Sequence, residues 1–131
     1  VLRKAQLTAR ASEFIDSATD VNGIKTITLQ LPDGTSGGDL RTVATDIRNR
    51  MKDTAAVIVL SAVDKGKFPF IAAATAKAVD EGVKAGDIVK RLGEYVNGRG
   101  GGKPDMAQGS GTAPEGAQRG FEAVKDLLQS R

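Results

Sequence analysis

Apolar and polar positions change period several times along the chain, and each change marks an element. Residues 1–18 contain no Gly or Pro, and Leu7, Ala11, Phe14 and Ala18 recur at alternating four- and three-residue steps. This heptad-like seam predicts the end of a longer amphipathic helix that begins upstream. A helix packed on its own domain fits the pattern equally well. Asp20, Asn22 and Gly23 break the period. Residues 24–31 then alternate, with Ile27, Leu29 and Leu31 on one side, which predicts a strand with one buried face. Turn residues Pro32-Asp33-Gly34 and Gly37-Gly38 lead into a helix capped by Asp39. Leu40, Val43, Ala44, Ile47 and Met51 form its buried stripe.

Residues 55–63 are nearly continuously apolar and rich in β-branched side chains, as expected of a central strand covered on both faces. Asp64-Lys65-Gly66-Lys67 reads as a hairpin turn into a return strand over 68–75, where Pro69 predicts an edge position or a bulge. A second helix over 85–97 should bury Ile88, Val89, Leu92, Tyr95 and Val96. Its surface pairs Asp87 with Arg91 and Lys90 with Glu94, four residues apart. Thr112 and Glu115 make a capping-box pattern before a last helix that runs to about 129 and buries Ala117, Phe121, Val124, Leu127 and Leu128. The expected fold class is α/β: a small mixed β-sheet with a right-handed crossover and packed helices, preceded by an N-terminal helix from a helical subdomain. Residues 1–19 would end that subdomain and 20–131 would form one globular domain.

Composition limits the chemistry. The 131 residues include no His and no Cys, which removes Ser-His-Asp and Cys-His nucleophile pairs, the usual zinc ligands and disulfides. The cysteine count also points to a reducing compartment. No apolar run is long enough to cross a bilayer and no signal peptide is evident, so a membrane partner is not expected. Asp33, Asp64, Asp80, Glu81 and Asp105 are scattered over turns without metal-ligand spacing. The 19 Lys and Arg exceed the 16 Asp and Glu, a formal charge of +3 that suits a polyanionic partner without specifying one. The chain opens on Val1 inside a helical pattern, as a segment of a longer protein would.

Residues 97–111 stand apart. Gly100, Gly101 and Gly102 permit positive φ and close backbone approach, so their amides could converge into an anion-binding nest flanked by Arg99 and Lys103. The same glycines could simply let a loop cross tightly over the sheet. A P-loop would need Gly at 97 and Ser or Thr at 104, where Asn97 and Pro104 stand. A dinucleotide fingerprint would follow a strand, whereas this segment follows a helix.

The run Gly100-Gly101-Gly102-Lys103-Pro104-Asp105-Met106-Ala107-Gln108 resembles the signature of the C-terminal domain, of the DHH-associated type, of bacterial alanyl-tRNA synthetases. Ala85-Gly86-Asp87-Ile88-Val89-Lys90 is similar to that family's helix entry, and the strand blocks fall in the same order. The related domain of certain phosphoesterases carries a Gly-Gly-His loop. Here Gly101-Gly102-Lys103 replaces it, which places phosphoesterase chemistry out of reach and leaves phosphate contact available. The resemblance implies a domain that holds tRNA at its outer corner, supports aminoacylation and editing elsewhere in a cytoplasmic ligase, and contributes to a homodimer. It also implies no catalytic, metal or cofactor site in this segment, the family's ATP, Mg and Zn sites lying in other domains.

With four Phe, one Tyr and no Trp, the chain has few aromatics to stack on bases. Recognition by shape and backbone instead requires Lys, Arg and main-chain amides. The candidate tRNA-binding residues are Arg99, Gly100, Gly101, Gly102 and Lys103, followed by Lys90 and Arg91. Solvated pairing with Glu94 and Asp87 is the competing role for the last two. The alternative function is a dimerisation or interaction module working through the 1–18 seam or a sheet edge, without direct RNA contact.

Overall fold

A six-stranded mixed sheet, whose central strands are the apolar runs of the chain, organises a computed structural model that describes residues 11–31 and 33–129. The strands are β1 (Thr19–Val21), β2 (Ile24–Gln30), β3 (Ala56–Ser61), β4 (Phe68–Ala74), β5 (Arg99–Lys103) and β6 (Met106–Gly111), in spatial order β1-β2-β3-β4-β6-β5. A helix, α1 (Ala11–Asp16), precedes β1, and α2 (Gly37–Arg50) makes the crossover that lets β2 and β3 pair parallel. The other pairings are antiparallel. Two of them close through two-residue turns with both central residues at positive φ, Asn22-Gly23 (53° and 85°) and Lys65-Gly66 (53° and 79°).

Strand alternation divides the core in two. Val57, Val59, Phe68, Phe70, Ala72 and Ala107 point to one face. There they meet α4 (Ala85–Tyr95) and α5 (Ala117–Gln129), which bury Ile88, Val89, Leu92, Phe121, Val124 and Leu128. Ile27, Ile58, Leu60, Ile71 and Ala73 point to the other face, under Leu40, Val43, Ala44 and Ile47 of α2 and Phe14 of α1. The α4 helix lies over β4, β6 and β5, whereas α2 lies over β3 and β4. Among the described residues, the half of the sheet formed by β6 and β5 is therefore helix-covered on one face only.

The mixed α/β architecture matches the sequence reading, and several local expectations are corrected. Leu7 of the heptad-like seam lies outside the described residues. The 24–31 strand is expected to bury one face, but Ile24 and Thr26 are buried on the second face because α5 packs over it. Ser36, not Asp39, caps α2: its Oγ accepts the Asp39 N–H at 3.2 Å, leaving the Asp39 carboxylate in the first turn. Pro69 stands in an internal strand between β3 and β6. It is tolerated beside the hairpin turn, where its carbonyl still accepts the Ala62 N–H at 3.1 Å and only one ladder donor is lost. Tyr95 is exposed, because the helix turns its side chain away from the core that Leu92 and Val96 enter. The Thr112–Glu115 capping box does not form. Ala113 begins a 3₁₀ turn over Pro114–Gly116, and the Thr112 hydroxyl accepts from Asn97 Nδ2 at 3.0 Å.

A short helix that the sequence reading missed, α3 (Ala76–Asp80), starts at Thr75, a buried hydroxyl with three partners. Thr75 Oγ1 donates to the Thr54 carbonyl at 2.6 Å and accepts from the Ala56 and Ala78 amides at 3.0 and 3.4 Å. Thr75→Ala strands the Ala56 donor at the start of the central strand, and a cost of about 1–3 kcal/mol is expected. Urea denaturation should show a lower midpoint at unchanged m-value, with most of the loss recovered in Thr75→Ser.

Candidate nucleic-acid interface

Within residues 97–111, Arg99–Lys103 and Met106–Gly111 fold as strands rather than loop. Their glycine run is β5, the outermost strand, joined to β6 by the Pro104-Asp105 turn. Extended backbone aims successive amides in opposite directions, so the expected convergent nest is not formed. Three elements hold the turn. The Ala74 N–H of β4 donates to the Asp105 carbonyl at 2.9 Å, and the Ala85 N–H at the start of α4 donates to the Pro104 carbonyl at 2.7 Å. From α2, Arg48 Nη1 reaches the Asp105 carbonyl at 3.2 Å and its carboxylate at 3.5 Å.

The register sorts the candidate residues. Arg99, Gly101 and Lys103 pair with Ser110, Gln108 and Met106, and all six share the face that carries α2. Gln108 confirms that orientation, since its Nε2 donates to the Gly37 carbonyl of α2 at 3.1 Å. On this open shelf Arg99 and Lys103 are exposed, about 13 Å of strand apart, with the bare Gly101 between them. Gly100 and Gly102 face the opposite way. A β-carbon at Gly100 would strike Val89 of α4 and lie 2.7 Å from the Gly109 Cα. Because Ala74 bonds to Asp105, the ladder's parity turns the N–H and C=O of Gly100 and Gly102 outward, away from β6.

The two α4 candidates separate. Arg91 is paired with Glu94 at 3.9 Å, not with Asp87 as the four-residue spacing suggested. Lys90 lies beside the edge strand and lines an open cleft of about 280 Å³ with Gly101 and Gly102. Sequence reading missed Lys84 on the same cleft. It stands alone before a helix, and only the docking of α4 on the hairpin brings it near Gly102. Among the described residues no group of three or more carboxylates is arranged to hold a metal ion, and no helix is long and apolar enough to cross a membrane.

The chain belongs to the DHHA1 domain family, whose model matches residues 23–130 and so takes in the whole sheet from Gly23 onward, with the glycine-rich hairpin at its edge. It is similar along nearly its whole length to alanine–tRNA ligases. It is 48% identical over 128 residues to that of Corynebacterium jeikeium and 42% identical over 131 residues to that of Corynebacterium efficiens. Each match takes in 98% of this chain but only 14% and 15% of the respective relative, so the chain spans about one seventh of their length. Among solved structures, the C-Ala domain of Aquifex aeolicus alanyl-tRNA synthetase superposes with a TM-score of 0.78 at 24% identity, covering 86% of this chain and 98% of that one. RecJ from Thermus thermophilus superposes with a TM-score of 0.68 at 18% identity, covering 98% of this chain and 18% of that one. Both structural likenesses establish the fold.

Proposed function

We propose that the chain is the tRNA-binding C-terminal domain of a cytoplasmic alanine–tRNA ligase, contacting the tRNA body through its shape and backbone. It supplies binding, while aminoacylation, editing and their cofactors belong to other domains. The observation that carries this reading is the open shelf of β5: two exposed cations on one face of an edge strand, with no helix over them and no aromatic side chain among them within the described residues. Such a surface suits phosphate and ribose contact better than base stacking. The similarity to alanine–tRNA ligases supports tRNA as the RNA class.

The competing reading, self-association through this edge, is disfavoured by charge. Antiparallel pairing of two β5 strands about Gly101 would set Arg99 of one copy opposite Lys103 of the other.

The test is the salt dependence of binding to an alanine tRNA transcript. Arg99→Ala/Lys103→Ala should weaken binding to all tRNAs alike and make the slope of log affinity against log salt shallower by roughly 0.7–0.9 per lost contact. The melting midpoint should stay near the parent's, since neither side chain enters the core. A folded double variant that keeps both affinity and slope would falsify the assignment.

A further inference from the structure

We infer that the RNA backbone is gripped from both sides of β5, and that the cleft between α4 and the strand's outer edge is a second phosphate-contact site. Lys84 and Lys90 are its cations. The inference rests on the tRNA-binding reading above and adds to it a site on the other flank of the strand.

The cleft is walled by the backbone of Gly101 and Gly102 on one side and by the first turns of α4 on the other. Gly86 brings these walls together: a β-carbon there would lie 3.4 Å from the Gly102 carbonyl oxygen. Lys84 and Lys90 stand at the cleft, both exposed, and neither belongs to an ion pair among the described residues. Asp87 is the one carboxylate in its lining, leaving a net positive charge. Pro104 and the glycines give the walls an apolar share but no aromatic ring, and the two lysines outweigh Asp87, so the charge of the lining favours an anion. Ammonium groups are compact point charges that neutralise phosphate without selecting a base, as backbone-directed binding requires.

The two cation sets lie on opposite flanks of one strand. Arg99 and Lys103 project from the α2 face, whereas Lys84 and Lys90 approach from α4. Between them runs only the edge of β5, with the Gly100 and Gly102 amides turned outward. A strand without side chains at three successive positions allows a nucleic-acid backbone to approach closely enough to touch both sets.

Four forms of the full 131-residue chain test this: the parent, Lys84→Ala/Lys90→Ala, Arg99→Ala/Lys103→Ala and the quadruple variant. Each is titrated with the alanine tRNA transcript between 50 and 200 mM salt after its melt is checked. Removing the two lysines should flatten the salt slope by about 1.4–1.8, so the fourfold rise in salt weakens binding by roughly 7- to 12-fold less than in the parent. The quadruple variant should show the sum of the two double variants. Asp87→Asn should tighten binding, a change that loss of structure does not produce. An unchanged slope in the lysine variant beside a flattened one in Arg99→Ala/Lys103→Ala overturns the cleft and leaves the shelf standing. Unchanged slopes in both variants overturn both sites. Weaker or unchanged binding by Asp87→Asn also counts against the cleft.

Discussion

Gly100→Val should lower the melting midpoint by about 9–15 °C, while Gly101→Val, one residue along the same strand, should leave it nearly unchanged. At Gly100 a β-carbon would collide with Val89 and with the main chain of Gln108 and Gly109. Backbone cannot yield as a side-chain tip can, so the substitution takes the upper end of the overpacking range, about 3 kcal/mol, at roughly 3–5 °C per kcal/mol for a domain of this size. At Gly101 the β-carbon meets nothing within 4 Å, and the residue is not at positive φ. A β-branched side chain suits an extended backbone, so the effect stays within about 0.5 kcal/mol. The pair also separates structure from binding. Val at 101 would stand between Arg99 and Lys103 on the open shelf, so tRNA affinity should fall in a protein that melts like its parent. Thermal melts and binding isotherms of both variants check this contrast.

Phe70→Ala should be the most destabilising of the single substitutions considered, at about 3–5 kcal/mol. Phe70 is fully buried in an internal strand, paired with Ser61 and Gly109, and its ring lies 6.4 Å from that of Phe68. A β-carbon on Gly109 would come within 2.8 Å of Phe70 Cε2, so the ring already fills the space beneath the hairpin. Truncation leaves a cavity that the sheet cannot close without tearing the β4–β6 ladder. Against a typical total of about 5–15 kcal/mol, a loss of this size leaves a marginal domain. Urea denaturation should show a large drop in midpoint. A shift below about 1 kcal/mol would mean that the neighbouring side chains collapse into the space.

The elements with a strong period were legible from the chain. The stripe Leu40–Met51, the run that became β3 and the Asp64–Lys67 turn fell where expected, because burial leaves a direct imprint on residue type. β5 carried no such imprint. A strand of Arg, Gly and Lys has no hydrophobic alternation, and its extended form is imposed by β6 and α4 rather than by its own residues. Pro69 misled for a related reason: its local preference for edges was overridden by a position beside a tight turn, where one missing donor is tolerated. At the candidate interface, Arg99 and Lys103 were visible from their place around the glycines. That they share a face depended on knowing the segment was strand. Lys84 left no signal at all, since its significance lies in what α4 docks against.

The Pro104-Asp105 turn, held at once by β4, α4 and α2, bears on how quickly the proposed surface would engage a partner. A loop would have to find its bound shape after encounter, losing freedom as it did so. A strand fastened at its tip from three directions presents the backbone that carries its cations in a fixed place before any collision. If the proposed tRNA-binding role holds, association should proceed in a single electrostatically guided step. The association rate would fall steeply as ions are added, and dissociation would respond far less.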